Sequence, residues 1–208
     1  MIPANNRTYT AFAGARWIAG GSLAEVAATA KIALDENLWA QVLIFDDVTS
    51  EVVDVDFRGD VSDVVARIVE KDQRVVAKVD DQAMGETARG PGRPRLGVVA
   101  REVTLLPRHW AWLASQPGGA SVALRKLVEQ ASRANQGRDR RRHAKDSTYR
   151  FLSAMAGNLP GFEEATRALF ADQAAQFAAL VAAWPGDIGA HARKLAAPAF
   201  EAHEDSAL

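Results

Sequence analysis

Apolar and polar positions change their period several times along this chain, and each change marks an element. Residues 8–19 alternate loosely, Thr8-Tyr9-Thr10-Ala11-Phe12-Ala13 and then Arg16-Trp17-Ile18-Ala19, with Gly14 where a hairpin turn belongs. Ser22 and Glu25 stand at capping-box spacing and open a helix carrying Ala24, Ala27, Ala28, Ile32 and Leu34 to about Glu36. Gln41–Phe45 is a short apolar run and Val52–Phe57 alternates strictly, which predicts two strands joined through Asp46–Glu51. Asp60 and Asp63 cap a helix with Val61, Val64, Val65 and Ile68 on one stripe. The order is ββαββα, a small α+β domain, with Arg74–Val79 as a candidate further strand.

Residues 80–97, rich in Asp, Gly, Pro and Arg, then read as a linker. Val98–Leu106 is rich in β-branched and apolar residues and predicts a strand, which Pro107 closes. That proline suits the first turn of a helix running to about Ser115, with Trp110, Leu113 and Ala114 at helical spacing. Pro117-Gly118-Gly119 breaks it. A second helix starts near Ser121, with Val122, Leu124, Leu127, Val128 and Ala131 as its apolar stripe. Beyond Ser147 the period stays helical through Phe151, Leu152, Leu169, Phe177, Trp184 and Ile188, and short loops predict a helical bundle. The layout expected is an α+β domain at 1–80, a basic Gly/Pro/Arg arm at 81–97, a strand–helix–helix unit at 98–136, and a basic run with the bundle at 137–208.

Composition narrows the class. With 208 residues, 48% apolar and 25% charged, the chain is an ordinary globular protein able to bury a core. It has no cysteine, which excludes disulfides, thiolate catalysis and zinc ribbons. The start lacks the basic and apolar regions of a signal peptide, and no apolar run approaches the roughly 20 residues that cross a bilayer. A soluble, cytoplasmic protein without membrane contact is expected.

Charge adds the main clue. Residues 1–85 hold 8 basic and 14 acidic side chains, 86–150 hold 14 and 5, and 151–208 hold 3 and 7. A net −1 thus conceals a strongly basic middle between acidic flanks, the balance of a segment that meets a polyanion. The plainer reading of the same residues is a solvated linker. Asp46, Asp47, Asp54 and Asp56 are the other cluster, and Asp54 and Asp56 share a strand face where two carboxylates could hold a metal. An acidic solvent face opposite Val53, Val55 and Phe57 gives the same pattern. No phosphate loop, lysine or histidine accompanies these acids, and His143, His191 and His203 are isolated. No catalytic residue, metal or cofactor is assigned, and an enzyme is not expected.

Within the basic middle, Gly92-Arg93-Pro94 resembles the centre of AT-hook peptides, whose arginines enter a narrow minor groove; Pro91 stands where that motif has arginine. The order from the arm to the second helix resembles the ribbon–helix–helix DNA-binding fold over about residues 93–134. That resemblance implies a ribbon shared by two subunits in the major groove and a phosphate held at the start of the second helix. Ser121 would then hold phosphate, and Arg101 and Thr104 would lie nearest the bases. Alternation leaves two outward sets open: Arg101, Val103 and Leu105, or Glu102, Thr104 and Leu106. Neither is rich in the side chains that read base edges. A tryptophan-containing helical hairpin packed into its own core fits the same stretch. Arg138-Asp139-Arg140-Arg141-Arg142-His143-Ala144-Lys145 is the densest basic run, either an extension of the second helix or a loop.

Tyr9–Gly14, Gly92–Trp110 and Pro160–Ala165 together resemble an uncharacterised bacterial family known as domain of unknown function 2239, over nearly the full length. That resemblance implies one shared architecture and no activity. The expected function is a dimeric DNA-binding protein, a transcriptional regulator or nucleoid-associated factor, with phosphate-dominated and weakly sequence-specific binding. Arg93, Arg95, Arg101, Thr104, Ser121, Arg125, Lys126, Arg138, Arg140, Arg141, Arg142 and Lys145 are its candidate contacts. The rival is a protein-interaction module, antitoxin-like or scaffold, whose basic centre meets an acidic partner; the acidic N-terminal domain leaves room for a protein partner of its own.

Overall fold

A computed structural model describes residues 7–37, 41–85 and 101–201, with only the backbone described along 75–85. Its strands are β1 (Tyr9–Ala13), β2 (Arg16–Gly21) and β3 (Val42–Asp46). Its helices are α1 (Leu23–Glu36), α2 (Val61–Gly85), α3 (Pro107–Ala114), α4 (Gly119–Met155), α5 (Phe162–Phe170), α6 (Ala174–Val181) and α7 (Gly186–Ala196). The α+β class expected from the sequence is the class observed. Two compact units divide the chain, one formed by Met1–Asp81 with Arg140–Leu208 and the other by Gln82–Asp139.

In the first unit β1 is central and antiparallel to both neighbours, giving the order β2-β1-β3. Gly14 turns β1 into β2 at φ +55°, where a side chain would be strained. Strand side chains alternate between faces, so Ala11 and Ile44 point to one side and Phe12 and Phe45 to the other. Ala11 and Ile44 join Val26, Ala27 and Ala30 of α1 and Val64 and Ile68 of α2 in one core. Phe12 and Phe45 join Phe151 and Leu152 of α4 and residues of α5, α6 and α7 in a second. Phe151 lies at the junction, 5.5 Å from Phe12, 5.3 Å from Phe45 and 4.6 Å from His191 between ring centres. The C-terminal helices therefore cover a face of the N-terminal sheet. Gly189 helps them pack: a Cβ there would stand 2.5 Å from the Val181 carbonyl.

Helix α1 carries its capping box as expected: Glu25 accepts from the Ser22 N–H at 2.9 Å, and Ser22 Oγ accepts from the Glu25 N–H at 3.4 Å. Three expectations fail nearby. Val52–Phe57 is not a strand; Val52 forms one isolated bridge to Phe45, with the Val53 N–H donating to the Ile44 carbonyl at 2.8 Å. Past it, Arg67 of α2 donates to the carbonyls of Asp56 and Arg58, so a side chain takes acceptors that a ladder would use. Arg74–Val79 is helical, because α2 continues to Gly85. Val61, Val64, Val65, Ile68, Val75, Val76 and Val79 keep the helical period, and their β-branched character imitates a strand. The first residues of the expected linker, 81–85, belong to the same helix.

In the second unit, residues 101–106 form no strand, and Val98–Ala100 lie outside the described residues. The ribbon thus has no counterpart among the described residues of a single chain. Pro107 opens α3 as expected, since its missing N–H costs nothing there. Helix α4 begins at Gly119 and runs unbroken for 37 residues, taking in the basic run and most of the helix expected after Ser147. It contains no proline, and Gly137 is its one interior glycine, which a long helix tolerates at about 1 kcal/mol. No helix among the described residues is long and apolar enough to cross a membrane.

His191 of α7 makes stability depend on pH. Burial, then the Lys194 charge, lowers its pKa below the usual 6.5, with Asp47 opposing. The folded state then binds fewer protons than the unfolded one, so the contribution is complete above about pH 6.5 and is lost as pH falls through the lower folded value. Chemical denaturation between pH 8 and 5 should show the decline, at most about 1.4 kcal/mol per pH unit. His191→Phe should flatten it.

Candidate nucleic-acid interface

The acidic cluster has structural partners. Asp46 is buried, and its carboxylate accepts from the Val48 and Thr49 N–H groups at 2.9 Å each, which shapes the turn after β3. Asp47 accepts from the Thr10 hydroxyl at 2.7 Å. Asp56 is held well below the usual carboxylate range, first by hydrogen bonds from Arg58. Asp54 lines an open groove of about 850 Å³ with Val53, Val55, Arg67 and Lys71. Among the described residues no group of three or more acidic or histidine side chains could hold a metal ion.

The basic residues fall into two sets with different surroundings. In the first unit, Arg141 donates to Asp172 at 2.9 Å and to the Ala199 carbonyl at 3.1 Å. Lys145 reaches Asp172 at 2.8 Å and the Phe170 carbonyl at 3.4 Å. These contacts, that of Lys145 first, hold the Asp172 carboxyl below its ordinary range. Arg140 pairs with Glu201. Charge that reads from the sequence as an offer to a polyanion is here spent on the α5–α6 turn and on residues 199–201 beyond α7. Arg142 is exposed on α4.

The second unit is different. Arg101, Thr104, Ser121, Arg125, Lys126 and Arg138 are all exposed. Arg125 donates to the Ser121 carbonyl at 3.2 Å along the helix. Ser121 stands in the first turn of α4, behind Gly118 and Gly119 at φ +85° and +73°. Arg101, Lys126 and Arg138 make no hydrogen bond or ion pair among the described residues, and neither does Arg108, which the sequence reading passed over. Arg93 and Arg95 lie outside the described residues. Residues 101–139 carry six basic and three acidic side chains, and one acid, Glu129, is paired with Arg133. The signal that could have found Arg108 is its spacing: it lies one helical turn before Trp112, on the same face of α3.

Apolar exposure is concentrated in this unit too. Between 101 and 139 only Leu113 and Ala123 are buried. Trp110 and Trp112 are 42% and 51% exposed, and Val128 is 66% exposed. The stripe expected on the second helix is present, but every residue from Arg125 to Ala134 is exposed, including Leu127, Val128 and Ala131.

The chain matches no curated protein and no solved structure. Residues 8–196 match the model of a family described as an uncharacterised protein conserved in bacteria, domain of unknown function 2239. That match takes in both units, from the first strand to the last residue of α7, and the chain belongs to that family.

Proposed function

We propose that this protein binds DNA as a homodimer, a transcriptional regulator or nucleoid-associated factor whose affinity comes from phosphate contacts, and that it is not an enzyme. The observation that carries this reading is the set of exposed cations Arg101, Arg108, Lys126 and Arg138 in one unit, unpaired among the described residues. A cation already paired with a carboxylate must exchange one partner for another, whereas an unpaired one gains a phosphate outright and releases its counterion. Weak sequence preference follows from residues 101–106, where Arg101 is the one side chain of the Arg, Asn and Gln types that read base edges.

Dimerisation is supported by the uncovered stripe of α4. Leu124, Leu127, Val128 and Ala131 follow the i, i+3, i+4, i+7 pattern of a helix that lies against another apolar surface. Among the described residues of this unit two side chains are buried, a small core, and a second copy supplies the same stripe to it.

The test is equilibrium binding to a short duplex at 50–200 mM salt. Affinity should fall steeply, by on the order of a thousandfold for about six phosphate contacts. Changing Arg101, Arg108, Lys126 and Arg138 to alanine should flatten the log–log slope by about 0.9 for each lost contact. Arg140→Ala with Arg141→Ala should mainly lower stability. Absence of duplex binding at low salt, or a slope unmoved by the four substitutions, would sink the proposal.

A further inference from the structure

We infer that α3 is a stacking platform for unpaired bases, so that the nucleic acid preferred by the second unit is single-stranded. The inference rests on the nucleic-acid reading above and names the form of the ligand. Large indole rings are costly to leave in water, yet Trp110 and Trp112 are about half exposed and stand on a helix of eight residues. Neither ring stacks on another aromatic ring, and neither indole N–H has a hydrogen-bond partner, among the described residues. Arg108 and Trp112 are four residues apart and share a face, with their backbones about 6 Å apart along the axis. A nucleotide presents a base and a phosphate at comparable separation, so one cation and one ring suit its two chemistries.

Charge favours this occupant over an apolar peptide. Arg101 and Arg108 precede the tryptophans in sequence and have no acidic partner among the described residues, against the single acid Glu102. Duplex bases have their faces covered by neighbours, and an indole reaches them only by unstacking a step. Single strands offer those faces freely, and aromatic stacking on them tolerates any sequence. This agrees with the scarcity of base-reading side chains on 101–106.

The test compares oligothymidylate and oligouridylate with a duplex of equal length, at a protein concentration where the oligomeric state is constant. Single strands should bind more tightly than the duplex and quench tryptophan fluorescence. Trp112→Leu should lower single-strand affinity by on the order of tenfold or more, Trp112→Phe should retain most of it, and neither should alter duplex affinity. Leucine keeps apolar bulk without a π-face, so equal behaviour of the two variants would overturn stacking while leaving DNA binding intact. A change in oligomeric state in both variants, with single-strand affinity following it, would assign the rings to a protein interface instead. If neither nucleic acid binds at low salt, the functional reading fails and this inference falls with it.

Discussion

Phe151→Ala is expected to destabilise the first unit by about 3–5 kcal/mol, the cost of emptying a large aromatic site in a closed core. Its ring is fully buried and meets Phe12 and Phe45 from the sheet and His191 from α7. No neighbour can relax into the space without leaving its own packing, because Phe12 and Phe45 are fixed by the strand ladder. The midpoint of thermal unfolding followed by circular dichroism should fall by roughly 10 °C, taking about 2–4 °C per kcal/mol for a unit of this size. Phe170→Ala removes the same side chain from a half-exposed position and should shift the midpoint far less. Equal shifts for the two would contradict the core described here.

The second large effect is expected at the uncovered stripe. Leu127→Glu with Val128→Glu should turn a dimer at micromolar concentration into a monomer, with at least a hundredfold rise in the dissociation constant. Two apolar side chains would lose their burial and four carboxylates would face one another across the two-fold axis. Sedimentation equilibrium gives the answer directly, and a wild-type chain that stays monomeric at high concentration would rule out the dimer. Because neither side chain is buried within the chain, thermal stability of the monomer should change little. Duplex affinity should drop with the loss of the second set of cations.

Local elements were legible where one short-range rule was enough. The hairpin around Gly14 and the capped start of α1 need only a turn residue and two side chains three apart. The rest depended on distant partners. Val52–Phe57 has the alternation of a strand, but it makes one bridge, to Phe45, and near its end Arg67 takes the Asp56 carbonyl from α2. The period of β1 says that Phe12 is covered without saying that Phe151 covers it. The interface has the same limit. Arg138 and Arg141 belong to one basic run, yet only Arg141 meets an acid, and that acid is 31 residues away. Net charge per segment located the region; it did not tell spent cations from available ones. The sequence leaves open whether the tryptophans are core, because helical spacing is identical for a buried stripe and an unpartnered one.

The first unit is assembled from both ends of the chain, and synthesis must reckon with that. Phe12 and Phe45 leave the ribosome about 100 residues or more before Phe151 does. At 5–20 residues per second, the second face of the sheet stays without its cover for roughly 5–20 seconds. During that interval the nascent chain displays two phenylalanines on a three-stranded sheet, a surface suited to a holding chaperone or to misassociation with a neighbouring nascent chain. The intervening unit has to be made and carried along before the first can close.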